Sequence, residues 1–280
     1  MPIEIIPAYE VSLAEQARIF TEAFIGYGGG SFAMDAAGLA RFIRAQGADL
    51  CYSRLAKNEN GLCGFGYIAR MGDISRLCGM GVIAAARRTG VGRALLVQLL
   101  AESKTRGDCA MILEVIEQNP SAHALYRQEH FRELGRLLGW RRAIETTAAQ
   151  APVELEEISL ATASQLPLPL EFPALPWQIS RHAAARLTAG RAYVSGSGLV
   201  VFDAADGETA PARLCLLSSL GSGKIDWPAI RQVFAAVLQR HAGREFFAPA
   251  IFPEIFGEEV FVPLGFKRET ISQFLMRHDF

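Results

Sequence analysis

The sequence lacks the features that mark membrane-spanning, secreted and nucleic-acid-binding proteins. No stretch of the 280 residues approaches the roughly 18 unbroken apolar residues that a membrane span needs. The first ten residues hold no basic region followed by an apolar run, so we expect no signal peptide. A formal net charge of −1 argues against binding to nucleic acid through bulk positive charge. We therefore expect neither a nucleic-acid partner nor a membrane partner.

Cysteine is scarce and shows no pairing pattern. The five cysteines are odd in number, and no two of them have the spacing of a metal site. This usage is typical of free, buried thiols in a reducing compartment. It predicts a cytoplasmic protein without a bound metal. Half of the residues are hydrophobic and 20% are charged, which excludes a disordered chain.

A length of 280 residues fits two ordinary domains. Strand and helix patterns alternate through the first half, and residues 146–153 are mostly small and predict a linker. The predicted domains are therefore residues 1–145 and 154–280. Residues 110–131 align with residues 245–266 as strand, short helix, phenylalanine and terminal strand, which indicates duplication of one fold.

A basic loop followed by two glycines precedes an apolar helix in the first half. Gly90 and Gly92 permit close approach of a ligand, and the free N–H groups of a helix start attract phosphate. A P-loop is excluded because Arg93 follows Gly92 where that motif needs lysine. A dinucleotide-binding fingerprint fits poorly, since Leu95 occupies its last glycine position. The pattern predicts a ligand that bears phosphate.

Two motifs together resemble the GNAT superfamily, the GCN5-related N-acetyltransferases. Residues 87–92 (RRTGVG) match the family's Arg/Gln-x-x-Gly-x-Gly/Ala loop, and residues 119–126 match its later Asn-x-x-Ala-x-x-Leu-Tyr signature. The resemblance spans about residues 3–142. It implies the α+β acyl-CoA N-acyltransferase fold, with a mixed sheet whose central strands splay apart. The second half lacks the arginine-led loop and aligns Phe261 with Tyr126, so we expect two tandem GNAT-like domains of which the second is degenerate.

The resemblance implies an N-acetyltransferase that uses acetyl-CoA as co-substrate and needs no metal. The acceptor would be a primary amine of a small molecule or peptide, and nothing in the sequence identifies it. By the same resemblance, Asn119 lines the pantetheine or amine side. The expected residues of the CoA site are Val82, Ile83, Arg87, Arg88, Thr89, Gly90, Val91, Gly92, Arg93, Asn119 and Tyr126.

The implied reaction is direct attack of a neutral amine on the thioester in a ternary complex. The leaving thiolate needs a proton, and a phenol with a pKa of about 10 is matched to a thiol with a pKa of about 8.5. Tyr126 is therefore the candidate general acid. Residues 74–83 hold no carboxylate, so the base stays open among Glu114, acting through a water, His123, His130 and prior deprotonation in bulk solvent. Tyr27 and His123 are candidate substrate contacts.

Two alternatives remain at this point. The missing carboxylate and the degenerate second half are also compatible with a non-catalytic CoA-binding protein that regulates or interacts. The motifs do not read the acyl chain, so a different acyl-CoA could be the donor. The sequence allows a monomer or a homodimer.

Overall fold

The computed structural model describes residues 2–26, 33–144, 154–169, 176–204, 207, 210–221 and 223–280. The chain divides into two compact units: unit 1 contains Met1–Leu134 and Phe274–Phe280, and unit 2 contains Gly135–Gln273. No helix in the described ranges is long and apolar enough to cross a membrane. The linker predicted at 146–153 lies outside the described residues, so the linker and the domain bounds drawn from it stay predictions.

Unit 1 has a mixed sheet with helices on both faces. Antiparallel pairing joins its first four strands in order, and the fifth strand joins the fourth in parallel. The elements are β1 (Glu4–Pro7), α1 (Leu13–Ala23), α2 (Ala36–Gln46), β2 (Ala48–Asn58), β3 (Gly61–Met71), β4 (Ile74–Val82), α3 (Val91–Thr105), β5 (Ala110–Ile116) and α4 (Pro120–Gln128).

Alternation along β3 builds the two helical layers of unit 1. Phe65 faces α1, and its ring centroid lies 5.0 Å from that of Phe20. Gly66, the next residue, faces α3. A Cβ at Gly66 would lie 2.6 Å from Cδ1 of Leu99, so glycine lets α3 approach the sheet closely. The core of unit 1 therefore lies on both sides of β3.

Local signals set the ends of α2. Asp35 is the N-cap, because its Oδ1 accepts a hydrogen bond from the Gly38 N–H at 2.7 Å. Gly47 ends the helix in the left-handed region, with φ of 66°. Helix α1 likewise starts at a polar N-cap, Ser12, whose Oγ accepts the Glu15 N–H at 3.3 Å.

Unit 2 repeats this plan in a shorter form. Strands β7 to β10 pair antiparallel in order, β11 joins β10 in parallel, and β6 joins β11 antiparallel. The elements are β6 (Arg132–Arg142), β7 (Glu156–Ile158), α5 (Leu160–Gln165), α6 (Arg181–Ala184), β8 (Gly190–Ser195), β9 (Gly198–Asp203), β10 (Ala212–Ser219), α7 (Trp227–Arg240), β11 (Phe246–Pro253) and β12 (Lys267–Asp279), with a π-helical turn at Gly257–Phe261.

The closing strand of each half of the sequence is divided between the units. Residues 135–142 of β6 belong to unit 2, where Arg142 pairs with Phe246 of β11. Residues 274–279 of β12 belong to unit 1, where this strand is the neighbour of β5. The last residues of the chain therefore complete the sheet of unit 1.

Candidate active site

The parallel strands β4 and β5 separate halfway along their length. Their pairing ends at Leu77 and Leu113, whereas β4 continues to Val82 and β5 to Ile116. A bulge at Cys78, directly after the last paired residue of β4, accompanies the separation. The splayed central strands that the resemblance implies are thus present in unit 1.

The loop that follows β4 presents backbone N–H groups at the start of α3. Gly90 is the N-cap with φ of 92°, and no side chain in the described part of the chain caps the helix. Arg88 also takes a positive φ, of 63°, which costs a non-glycine residue about 1–3 kcal/mol. A strained loop before an uncapped helix start is suited to holding an anion.

The arginines of this loop have different surroundings. Arg87 ties the loop down: its Nε donates to the Val82 carbonyl at 3.1 Å and its Nη2 donates to the Ala23 carbonyl at 2.8 Å. Arg93 donates from Nε to Oε1 of Glu129 at 2.7 Å. Arg88 is exposed. Positive charge therefore surrounds the start of α3, and two of the three guanidiniums are held by protein groups.

Gly92 lies between the end of β4 and α4. A Cβ at this position would lie 3.6 Å from Val82 Cγ2 and 3.6 Å from Leu125 Cδ2, which is ordinary contact. A methyl group therefore fits, whereas a large side chain does not. The neighbouring predicted residues are committed to local bonds: Thr89 Oγ1 donates to the Ala86 carbonyl at 2.8 Å, and the Ile83 N–H donates to the carbonyl of Cys63 on β3 at 3.0 Å.

Helix α4 carries Asn119 and Tyr126. Asn119 is the N-cap, and its Oδ1 accepts the Ala122 N–H at 3.2 Å. The ring of Tyr126 is buried and meets Phe131 edge to face, with centroids 5.7 Å apart. The structure thus uses the side-chain carbonyl of Asn119 to start the helix that positions Tyr126. Both assignments, Asn119 to ligand binding and Tyr126 to proton donation, stay predictions.

Glu114 forms a buried ion pair with Arg76. Nη2 of Arg76 lies 2.6 Å from Oε2 of Glu114, and Nε donates to both carboxylate oxygens. The two side chains are 2% and 4% exposed. Burial lowers the pKa of the Arg76 guanidinium, but its attraction to Glu114 and their hydrogen bonds outweigh this effect and raise the pKa. A carboxylate held in this way is poorly placed to take a proton from an amine.

Sequence reasoning missed the Arg76 contact and the state of Cys78. The Cys78 thiol donates to the Tyr67 carbonyl at 3.3 Å, and burial raises its pKa to about 11. The thiol is therefore neutral at physiological pH and is a weak nucleophile. Arg76 and Cys78 are two positions apart on β4, and side chains at that spacing point to the same face of a regular strand. This spacing is the sequence signal that indicates a shared environment.

The two candidate substrate contacts have different outcomes. Tyr27 lies outside the described residues. His123 lies on α4, where its Nε2 is 2.9 Å from Oε1 of Glu133 and its ring centroid is 5.0 Å from that of Phe274. The His123 side chain is therefore engaged by two protein groups.

Unit 2 differs from unit 1 at the corresponding helix start. Asp226 is the N-cap of α7, and its Oδ1 accepts the Ala229 N–H at 3.0 Å. Pro228, in the first turn, has no N–H to offer. Phe261, which aligns with Tyr126, is buried and stacks on Trp140 with ring centroids 5.7 Å apart. The carboxylate of Asp226 therefore brings a negative charge to this helix start, where α3 has a glycine.

The separation of β4 and β5 and the glycine-containing loop before α3 are the features of the acyl-CoA N-acyltransferase fold, which unit 1 therefore has. Residues 18–131 match the sequence model of the Acetyltransferase (GNAT) family. The N-terminal half of the chain therefore carries a GNAT-family domain. No curated protein sequence matches the chain significantly.

Solved structures extend the likeness to the whole chain. A tandem GNAT protein from the clavulanic acid biosynthesis pathway is 14% identical, with a TM-score of 0.62 over 99% of this chain and 98% of that one. A GCN5-related N-acetyltransferase from Anabaena variabilis is 16% identical, with a TM-score of 0.63 over 99% of this chain and 73% of the other. One from Sphaerobacter thermophilus is 13% identical, with a TM-score of 0.63 over 99% and 95%. These identities are low and establish the fold; the prediction of two tandem GNAT-like halves is confirmed.

Proposed function

We propose that unit 1 is an acetyl-CoA-dependent N-acetyltransferase that acts on a primary amine of a small molecule or peptide. The observation that carries the proposal is the gap between β4 and β5 beside the uncapped start of α3. Membership of residues 18–131 in the GNAT family supports acyl transfer in general. The choice of acetyl-CoA as donor, the amine acceptor and a cytoplasmic location belong to the proposal.

The residues present fit a CoA ester. The N–H groups at the start of α3 and the surrounding arginines favour a pyrophosphate, because both the helix dipole and the side chains are positive there. Gly92 leaves room for a ligand to approach the main chain between β4 and α4. The thioester supplies the activated acyl group. Residues 82–93, Asn119 and Tyr126 are the residues that we propose hold it.

Tyr126 is the residue that we propose protonates the departing thiolate. Its place on α4, which Asn119 caps, makes its orientation depend on the packing of that helix. General acid catalysis of this kind contributes about 10²–10⁴ in rate. We expect Tyr126→Phe to lower kcat by about 100-fold or more while acetyl-CoA still binds.

We propose that Glu114 neutralises Arg76 and that the acceptor amine loses its proton before it binds. Both carboxylate oxygens of Glu114 accept hydrogen bonds from Arg76, and the Glu114 side chain is only 4% exposed, so an amine has little access to it. The rate should then rise with pH through the pKa of the acceptor, which is about 10 for an alkyl amine. A profile that instead follows one enzyme group, unchanged between acceptors of different pKa, would indicate a protein base.

Calorimetric titration of the purified chain with acetyl-CoA tests the binding half of the proposal. We expect one site per chain, because the start of α7 is closed by its own carboxylate. Gly92→Trp should abolish binding. Gly92→Ala is the matched control and should retain it, since a Cβ makes only 3.6 Å contacts there. Two sites would show that unit 2 also binds CoA, and absence of binding would overturn the proposal.

Thiol release in a screen of amines tests the catalytic half. Release that requires both an amine and Tyr126 supports acyl transfer. Tight acetyl-CoA binding without release by any amine would favour a CoA-binding protein that regulates or interacts. Competition by propionyl-CoA and succinyl-CoA would show whether the acetyl group is the preferred donor.

A further inference from the structure

The last seven residues of the chain, Phe274–Phe280, belong to unit 1, although the GNAT family match ends at residue 131. Met276 is fully buried in the same core cluster as Tyr126 and Phe131. The Phe280 N–H donates to the Cys109 carbonyl at 3.0 Å, just before the start of β5. The end of the chain is therefore part of the core beneath the proposed site.

Two side chains of this segment contact α4. The ring of Phe274 lies against the ring of His123, with centroids 5.0 Å apart. Nδ1 of His278 lies 2.9 Å from the carbonyl oxygen of Glu129, the C-cap of α4. A carbonyl oxygen only accepts, so Nδ1 carries the proton and donates. One contact lies near the middle of α4 and the other at its end, which fixes the helix at two points.

Glu129 connects these contacts to the start of α3. While its carbonyl accepts from His278, its carboxylate accepts from Nε of Arg93 in the first turn of α3 at 2.7 Å. The Glu129 side chain is 12% exposed, so the ion pair is partly shielded from solvent. Tyr126 is joined to the same group through Phe131, whose ring centroid is 5.4 Å from that of His278.

We propose that residues 274–280 are a positioning element of the acetyltransferase site. They hold α4, and α4 in turn positions Tyr126 and Arg93. The sequence motifs of the site lie in the first half of the chain, but the site also needs residues 274–280 in place. Phe274 and His278 are positioning residues that act through α4. The inference rests on the proposed function where it concerns catalysis, and on the described contacts where it concerns α4.

Full-length variants test this proposal through two independent measurements. Phe274→Ala removes the ring contact with His123, and Phe274→Leu keeps most of the side-chain volume. Phe247→Ala is the matched control, because it removes a phenylalanine of unit 2 that is also half-buried. The measurements are amide exchange of residues 120–128 and steady-state kinetics, both at a temperature where every variant is folded. The exchange experiment needs no substrate.

We expect Phe274→Ala to speed exchange in α4 by about tenfold through easier local opening. We expect it to lower kcat by about 10- to 100-fold through misplacement of Tyr126, with the KM for acetyl-CoA changed less than threefold. Phe274→Leu should restore both values, and Phe247→Ala should match the wild type. A merely structural residue would not separate kcat from KM in this way.

Wild-type exchange and kcat in Phe274→Ala would overturn the proposal. Equal effects of Phe247→Ala would also overturn it, because they would indicate a general loss of stability. If the wild type transfers no acetyl group, the proposed function fails, and the exchange of α4 alone then decides whether the end of the chain positions this helix.

Discussion

Replacement of Glu114 by glutamine probes a buried charge whose loss can be given a magnitude. The Arg76 and Glu114 side chains are 2% and 4% exposed, and their closest atoms are 2.6 Å apart. Glu114→Gln preserves the volume and leaves the guanidinium charged, with Oε1 of Gln46 as a remaining acceptor at 2.8 Å. Removal of one partner from a buried pair costs about 3–5 kcal/mol. At about 2–4 °C per kcal/mol, Tm should fall by roughly 6–20 °C.

The double variant Arg76→Met/Glu114→Met separates the structural role from a catalytic one. With both charges absent, stability should return to near the wild-type value, because apolar replacements of a buried pair are often neutral or stabilising. If Glu114 only neutralises Arg76, acetyl transfer should return with it. If Glu114 is the base, the folded double variant should stay about 10²–10⁴-fold slower.

Thermal unfolding followed by circular dichroism gives the stability term, and thiol release well below the lowest Tm gives the rate. Glu102→Gln is the control, since the Arg54–Glu102 pair is more open, with side chains 17% and 22% exposed, and should lose less stability. An unchanged Tm for Glu114→Gln would refute the electrostatic reasoning. A stable but inactive double variant would refute the proposal that Glu114 only neutralises Arg76.

Three further predictions concern stability and reactivity. Burial alone would raise the pKa of Asp108, but hydrogen bonds from a serine and two arginines lower it. The wild type should therefore have a higher free energy of unfolding than Asp108→Asn above about pH 5, and this difference should disappear in acid. Urea unfolding measured across this pH range tests the prediction. Gly257→Ala should lower the free energy of unfolding by about 1–3 kcal/mol, because its Cβ would clash with the indole ring of Trp140. Gly223→Ala should lower it far less in the same thermal unfolding experiments, since no described atom lies within 4 Å of its Cβ. With Ellman's reagent at pH 8, exposed Cys51 should react quickly and Cys78, whose pKa is about 11, should react slowly.

Local sequence signals were enough to predict most elements of unit 1 and the loop before α3. The N-cap Asp35 and the glycines of the loop before α3 act on residues only a few positions away. A short stretch of sequence is therefore enough to recognise their effect. The Arg76–Glu114 pair is different, because it joins residues 38 positions apart and exists only once β4 and β5 pair in parallel. Periodicity predicted both strands and could not supply their register.

The division of β6 and β12 between the two units could not be predicted from the sequence, for the same reason. Alternating apolar residues predict a strand and the face it buries, but the N–H and C=O groups that choose its neighbour are the same in every residue. The predicted second domain, residues 154–280, therefore includes the whole of residues 267–279. In the structure, its last part lies beside β5 and contributes Met276 to the core of unit 1.

The two halves differ at one position of a helix start, and this difference underlies the proposal that only unit 1 binds CoA. At α3 the N-cap is Gly90, which has no side chain, and no side chain of the described residues caps the N–H groups that follow. At α7 the N-cap is Asp226, which brings its own anion and repels another. A carboxylate cap stabilises a helix by about 1 kcal/mol, so Asp226 gives α7 a stabilisation that a glycine N-cap does not give α3. The uncapped start of α3, next to the strained Arg88, is the kind of local cost that persists where a ligand is expected to offset it.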